Sequence, residues 1–317
     1  MALKDLQFVD LYIGSGYADL KAEPGAHSKR EPVPDSAQGE VTALVQLIDK
    51  RLGESGSECT VEYEGVNYRV TRMFDLVEKP LYFLRRIADK IFPVESLGLP
   101  QDVLAHVLAA DSRGLTLFTG EMGSGKTTTG VSVFTSRLAT LGGFGLALEQ
   151  PAEIRIDGEH GKGRCMQSSV TDVRGGFAES LRLARRSGVS DLFIGEIRCG
   201  DTGAAALAQA NSGVWVGATL HSKTPLDAIS QLALFASQSG VVNPYAFIAK
   251  GLSTIVHQSI SRRTNANGSV AVMANFNCLT ISGSAEGIRS KIRDHDRLHT
   301  LAQDLDNQNR ERMHGHR

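Results

Sequence analysis

A chain of 317 residues, 41% hydrophobic and with a formal net charge of -1 at pH 7, suits two moderate domains and lacks the basic excess of a dedicated duplex binder. Cys59, Cys165, Cys199 and Cys278 lie far apart with no C-x-x-C pair, which argues against a zinc ribbon and a disulfide framework and suits a reducing compartment. No apolar run reaches the roughly 18 residues of a membrane span, so the expectation is a soluble chain, or one peripheral to a membrane.

In chain order, residues 1–95 mix short strand and helix signals with the polar stretches "EPGAHSKREPVPDSAQGE" and "GESGSE". Within them "TVEYEGVNYRV" alternates about Glu64 and Gly65, predicting a hairpin with Val61, Tyr63, Val66, Tyr68 and Val70 on its strands. This is a small α+β module. A boundary is expected at "FPVESLGLP", bracketed by Pro93 and Pro100. From Leu115 onward the β-rich runs "LTLFT", "GLALE", "DLFIGE" and "VWVGATLH" alternate with helix-length stretches, the rhythm of a parallel sheet covered by helices. The last residues, "RERMHGHR", are expected to form a polar, frayed tail. The domain reading is thus 1–95, 96–300 and a tail over 301–317.

The run "GEMGSGKTTTG", residues 120–130, fits G-x-x-x-x-G-K-[ST] between a strand and a helix beginning near Lys126. Gly120, Gly123 and Gly125 let the backbone curl so that successive N–H groups, including those of Ser124 and Thr128, converge on phosphate oxygens at a helix N-terminus. Lys126 reaches the β and γ phosphates, and the Thr127 hydroxyl suits Mg²⁺. The cofactors called for are therefore ATP and Mg²⁺. Acids are needed downstream to hold the metal and orient water. Glu196 closes "DLFIGE" at a Walker B position, as a metal ligand. Glu149 ends "GLALE" and Glu153 follows it by four residues; either could polarise the water. His221, ending a further strand, suits a γ-phosphate sensor or a structural histidine. Arg182, Arg185 and Arg186 lie on a helix before the Walker B strand, where a solvated face or ion pairs suit them as well as a site.

These motifs resemble the secretion superfamily of hexameric ATPases that serve type II secretion, type IV secretion and type IV pili. That family shows a Walker A box, an acidic box E-D-P-x-E, a Walker B box G-E-[IM]-R-D and a histidine box T-L-H-[ST]; this chain has "GEMGSGKTT", "EQPAE", "GEIRC" and "ATLHS" in that order. "YRVTRM", "FLRRI", "ESLGLP" and "RGLTLFTG" are similar to the approach to Walker A in PilT-like retraction ATPases. "GLSTIVHQSISRR" is similar to their C-terminal helix leading to a Q-x-L segment. The resemblance covers nearly the whole chain, most weakly before residue 55.

The resemblance implies an α/β fold: a RecA-like P-loop core with a mainly parallel sheet, preceded by a small α+β PAS-like N-terminal domain. It implies Glu153 as the water-activating acid, and Arg182 and Arg186 as the family's paired arginines. Arg69 and Arg85 match arginines that family members present to nucleotide. It further implies a homo-hexamer, cytoplasmic and peripheral to the inner membrane, docked on a secretion or pilus apparatus protein, with no transmembrane segment and no direct nucleic-acid binding. The pattern departs at Gln150, where the family has Asp, and at Cys199, again in place of Asp. The short length and the absent cysteine quartet point toward the retraction, Dot/Icm-type or conjugative subgroups. The activity expected is hydrolysis of ATP to ADP and phosphate to power such an apparatus. The alternatives are a RecA-like nucleic-acid motor and a low-turnover nucleotide-gated assembly protein.

Overall fold

A computed structural model describes residues 2–22, 29–170, 175–264, 270–281 and 285–314, apart from the side chains of 262–264, 270–272 and 314. The chain divides into two compact units, Met1–Asp89 with Pro151–Arg155, and Lys90–Gln150 with Ile156–Arg317.

The first unit contains β1 (Asp10–Gly14), β2 (Tyr17–Lys21), β3 (Arg30–Pro32), α1 (Gln38–Leu52), β4 (Glu58–Tyr63), β5 (Val66–Phe74) and β6 (Pro80–Arg86). Its strands form an antiparallel sheet ordered β3-β2-β1-β6-β5-β4. The alternation around residues 61–70 is met: Val61, Val66, Tyr68 and Val70 are buried, and the turn between β4 and β5 has positive φ at both Glu64 and Gly65, as a two-residue hairpin of native twist requires. Val41, Leu44 and Ile48 of α1, spaced three and four apart, bury against that sheet face. Arg72, on β5, ends α1: its guanidinium donates to the carbonyls of Gly53, Glu54 and Gly56 at 2.8, 3.0 and 2.8 Å, satisfying groups a helix end and its turn leave open.

The second unit contains α2 (Gln101–Leu108), β7 (Gly114–Gly120), α3 (Lys126–Leu141), β8 (Gly143–Glu149), β9 (Gly158–His160), β10 (Gly163–Ser169), α4 (Gly176–Ala184), β11 (Asp191–Ile194), α5 (Gly200–Asn211), β12 (Trp215–His221), α6 (Pro225–Gln238), α7 (Pro244–Gly251), β13 (Leu252–Thr264), β14 (Val270–Thr280), α8 (Glu286–Arg293) and α9 (Leu301–His314). The sheet order is β14-β13-β7-β12-β11-β8-β10-β9. Neighbours from β13 to β10 run parallel, while β14 and β9 are antiparallel edges, so the sheet is mixed. All residues of β7 and β11 are buried, as expected of strands covered on both faces. The four runs "LTLFT", "GLALE", "DLFIGE" and "VWVGATLH" are β7, β8, β11 and β12, and their carboxyl ends lie side by side.

Two stretches differ from the sequence reading. Residues 252–264 are strand: α7 stops at Gly251, and the β-branched run that follows pairs with the buried β7. Residues 301–314, read as tail, form α9. Leu301 and Leu305 are buried. One turn further on, Gln308 accepts from the Thr280 N–H and donates to the Thr280 carbonyl, both at 2.9 Å. The polar composition hid a face at helical spacing that clothes the edge strand β14. The tail's His314 side chain and residues 315–317, including His316, lie outside the described residues.

Candidate functional site

The glycine run is a strand-to-helix turn at the carboxyl end of β7. Gly120 and Gly125 have φ of 149° and 84°, backbone that side-chain-bearing residues rarely adopt. Space is closed there too. A Cβ on Gly120 would lie 2.2 Å from the Gln258 carbonyl oxygen and 2.5 Å from Ser124 Oγ. Gly125 precedes α3 in left-handed conformation with no side-chain cap, and the N-terminal turn of a helix is a place that suits an anion. Ser124, 5% exposed, buries a hydroxyl with no hydrogen-bond partner among the described residues. A glycine cradle, an uncapped helix N-terminus and the unpartnered Ser124 hydroxyl together fit a phosphate chain. Thr127 and Thr128 are half-buried on the first turn.

Lys126 is 6% exposed. Its Nζ lies 3.4 Å from the Glu121 carbonyl and 3.2 Å from His221 Nδ1. His221 Nε2 in turn lies 3.0 Å from Glu196 Oε1, and the other oxygen of Glu196 accepts from Arg198 Nε at 2.5 Å. A neutral imidazole protonated on Nε2 satisfies both contacts, donating to Glu196 and accepting from Lys126. The adjacent ends of β7 and β12 thus bring Lys126 and His221 together with Glu196, two residues beyond β11, in one chain of contacts. Glu149, at the end of β8, is buried and accepts from Gln167 Nε2 at 2.7 Å; a Cβ on Gly195 would meet its side chain at 2.8 Å.

Glu153 is exposed on the segment Pro151–Arg155, which belongs to the first unit and is tied to it by backbone hydrogen bonds of Glu153 and Arg155 with Ala88. In that unit Arg69 and Arg85 line one groove with Tyr12, Thr71 and Phe83. Asp10 holds Arg85 through two hydrogen bonds of 2.7 and 3.1 Å. These bonds push the guanidinium pKa above its ordinary value, to which Glu153 adds a smaller electrostatic contribution. Arg182 is not drawn to Lys126; it pairs with Glu179 one turn back on α4, at 2.6 Å. Arg186, just past α4, is exposed and adds to the field that lowers the Glu179 pKa, chiefly through the Arg182 hydrogen bond.

Reading by motif missed three residues at the site. Arg198 stands inside "GEIRC" but took no role, and its contact with Glu196 is invisible without the turn after β11. His257 and Gln258 sit in a stretch similar to the Q-x-L segment; nothing in linear order brings them under residues 119–129. There His257 Nδ1 lies 2.9 Å from Thr119 Oγ1, and Thr129 Oγ1 donates to Gln258 Oε1 at 2.6 Å.

Comparison with known proteins places this arrangement. The family described as Type II/IV secretion system protein matches residues 36–309. Type II secretion system protein E of Klebsiella pneumoniae is 28% identical over 233 residues, 70% of this chain and 43% of that protein. The type IV pilus assembly ATPase PilB of Thermus thermophilus is 30% identical over 252 residues, 75% of this chain and 27% of that protein. The chain spans less than two thirds of the length of these relatives. The structure of the Legionella pneumophila ATPase DotB superposes with a TM-score of 0.75 at 20% identity, covering 96% of this chain and 85% of that one, and shares the α/β fold. With its match running from the first unit through the glycine-rich turn and the His221 strand to α9, the chain belongs to the Type II/IV secretion system protein family.

Proposed function

We propose that this protein is an ATP hydrolase, releasing ADP and phosphate, whose subunits form a ring, a homo-hexamer, that drives a type IV secretion, conjugation or pilus apparatus. The observation that carries the reading is the contact chain Lys126–His221–Glu196 at the mouth of a glycine cradle. In this reading the second unit is a RecA-like core and the first a PAS-like domain. Lys126 and the N–H groups around Ser124 and Thr128 hold the phosphates, with Gly120, Gly123 and Gly125 giving close approach. Thr127 and Glu196 are the protein ligands for Mg²⁺; such an ion takes one or two side chains besides water and phosphate. When bound, Mg²⁺ neutralises charge that develops on the phosphates.

His221 is placed to couple Lys126 to Glu196, so that a change at the phosphate end reaches the acid through one imidazole. The acidic-box match assigns Glu153 to polarising water, with Glu149 as the acid that would replace it. Arg69, Arg85, Arg182 and Arg186 are assigned to charge stabilisation by the same resemblance. Among the described residues no helix is long and apolar enough to cross a membrane. The proposed setting is the cytoplasmic face of the inner membrane, on an apparatus protein.

The test is phosphate release by the purified chain with MgATP. Lys126→Ala abolishes turnover and binding, and Glu153→Gln binds ATP without multiple turnover. Full activity in Lys126→Ala would remove the assigned phosphate role, while unchanged turnover in Glu153→Gln would move the water-polarising role to Glu149. Strong stimulation by single-stranded nucleic acid would favour a nucleic-acid motor instead.

A further inference from the structure

The phosphate loop rests on a strand that none of its motifs contains. β13 runs parallel to β7 in a register that sets Val256 beside Phe118 and His257 beside Thr119. The next residue, Gln258, is 5% exposed and meets the loop at both ends. At the entrance its carbonyl oxygen occupies the space a Cβ on Gly120 would need, 2.2 Å away; at the exit its Nε2 stands 2.8 Å from the Cβ position of Gly125. Beyond the loop, its Oε1 accepts from Thr129 Oγ1 at 2.6 Å in a buried hydrogen bond. Thr129 closes the first turn of α3, its N–H donating to the Gly125 carbonyl at 3.0 Å.

The backbone N–H groups that would face phosphate lie between these three contacts. A loop built of glycines is costly to hold in one conformation. One buried amide that touches entrance, exit and first helical turn supplies the missing restraint. We infer that Gln258 is the positioning residue of the phosphate loop, its bond to Thr129 holding the N-terminus of α3 in the geometry that receives a triphosphate. Glutamine suits the place: it is long enough to pass beneath Gly125, accepts from a hydroxyl, and puts no negative charge under the phosphates. This inference rests on the nucleotide-binding reading above and adds to it a residue outside the Walker A, acidic, Walker B and histidine boxes.

The experiment uses the full chain and titrates a fluorescent MgATP analogue, alongside thermal melting with and without MgATP. Gln258→Met keeps the length and removes the acceptor; Thr129→Val keeps the shape and removes the donor. Gln209→Met, which removes a buried amide bonded to the Leu181 carbonyl on another helix, is the control for loss of a buried glutamine. Gln258→Met and Thr129→Val are each expected to weaken binding about tenfold, the scale of one buried hydrogen bond. The double variant should be no worse than roughly either one. The rise in Tm on adding MgATP should shrink in both, but not in Gln209→Met.

A merely structural bond would lower the nucleotide-free Tm and leave affinity as in the wild type. Affinity within about twofold of wild type in folded Gln258→Met, or in Thr129→Val should the first not fold, overturns the inference. A wild-type chain that binds no MgATP overturns the functional reading and this inference with it, so the two failures are distinct.

Discussion

Lys126 is a charge almost wholly withdrawn from water, and the cost of that is met by a carbonyl and an imidazole held in place by strand ends. His221 is therefore more than a neighbour of the lysine: its second nitrogen is committed to Glu196. Replacing His221 with Ala should reduce kcat on the order of 100-fold, the scale of losing one preorganised polar group. MgATP affinity should change only a few-fold, as read by phosphate release and direct titration; an unchanged kcat would reduce His221 to a spacer. Magnitude also decides how to view Arg182. Its pair with Glu179 is exposed, the two side chains being 54% and 37% accessible, and solvent screening leaves such a pair weak. That is too little to keep the guanidinium from a phosphate, so the pairing leaves the proposed role of Arg182 open to test. Arg137 is the opposite case, 2% exposed and bonded to Asp191 and to the Val107 carbonyl; it is committed to holding α3 against the sheet.

Among the elements, α9 has the least expected role. Its side chains act as a substitute strand for the edge β14: Gln308 bonds both backbone groups of Thr280, Asn309 accepts from the Cys278 N–H, and Arg312 donates to the Cys278 carbonyl. Cys278 beneath it is fully buried, and burial pushes its thiol pKa up to about 12. Arg312→Ala should cost roughly 1–3 kcal/mol, since a buried carbonyl loses its charged donor. It should also speed labelling of Cys278 by a thiol reagent at least about tenfold through easier local opening. Equal labelling rates in variant and wild type would mean that α9 does not guard the edge. A polar helix of this kind is legible only weakly in sequence, because among the described residues its buried apolar anchors are Leu301 and Leu305, and its contact with β14 is made by amides and a guanidinium.

For the molecule as a whole, two half-buried histidines report on folding. Burial pushes His257 and His106 below the ordinary value of 6.5. Unfolded chains take the proton near that value and the folded protein only at lower pH, so the stability from neutral burial is complete above about 6.5 and is lost as pH falls toward the folded values. Tm should fall between pH 7 and pH 5, and His257→Gln should flatten that slope; an unchanged slope would show that His257 titrates alike in both states. The amino-acid sequence by itself determined the glycine-rich strand-to-helix turn, the strand ends at Glu149 and His221 with Glu196 just beyond a third, and the 61–70 hairpin. Each of these is a local pattern in which period, glycine placement and residue type act over a few positions. Only the tertiary structure decided that Lys126, His221 and Glu196 touch, that Pro151–Arg155 joins the first unit, that residues 252–264 are strand, and that Gln258 lies under the loop. Those outcomes depend on which strands become neighbours, and strand order is set by the burial of whole faces between residues far apart in the chain, which no local pattern records.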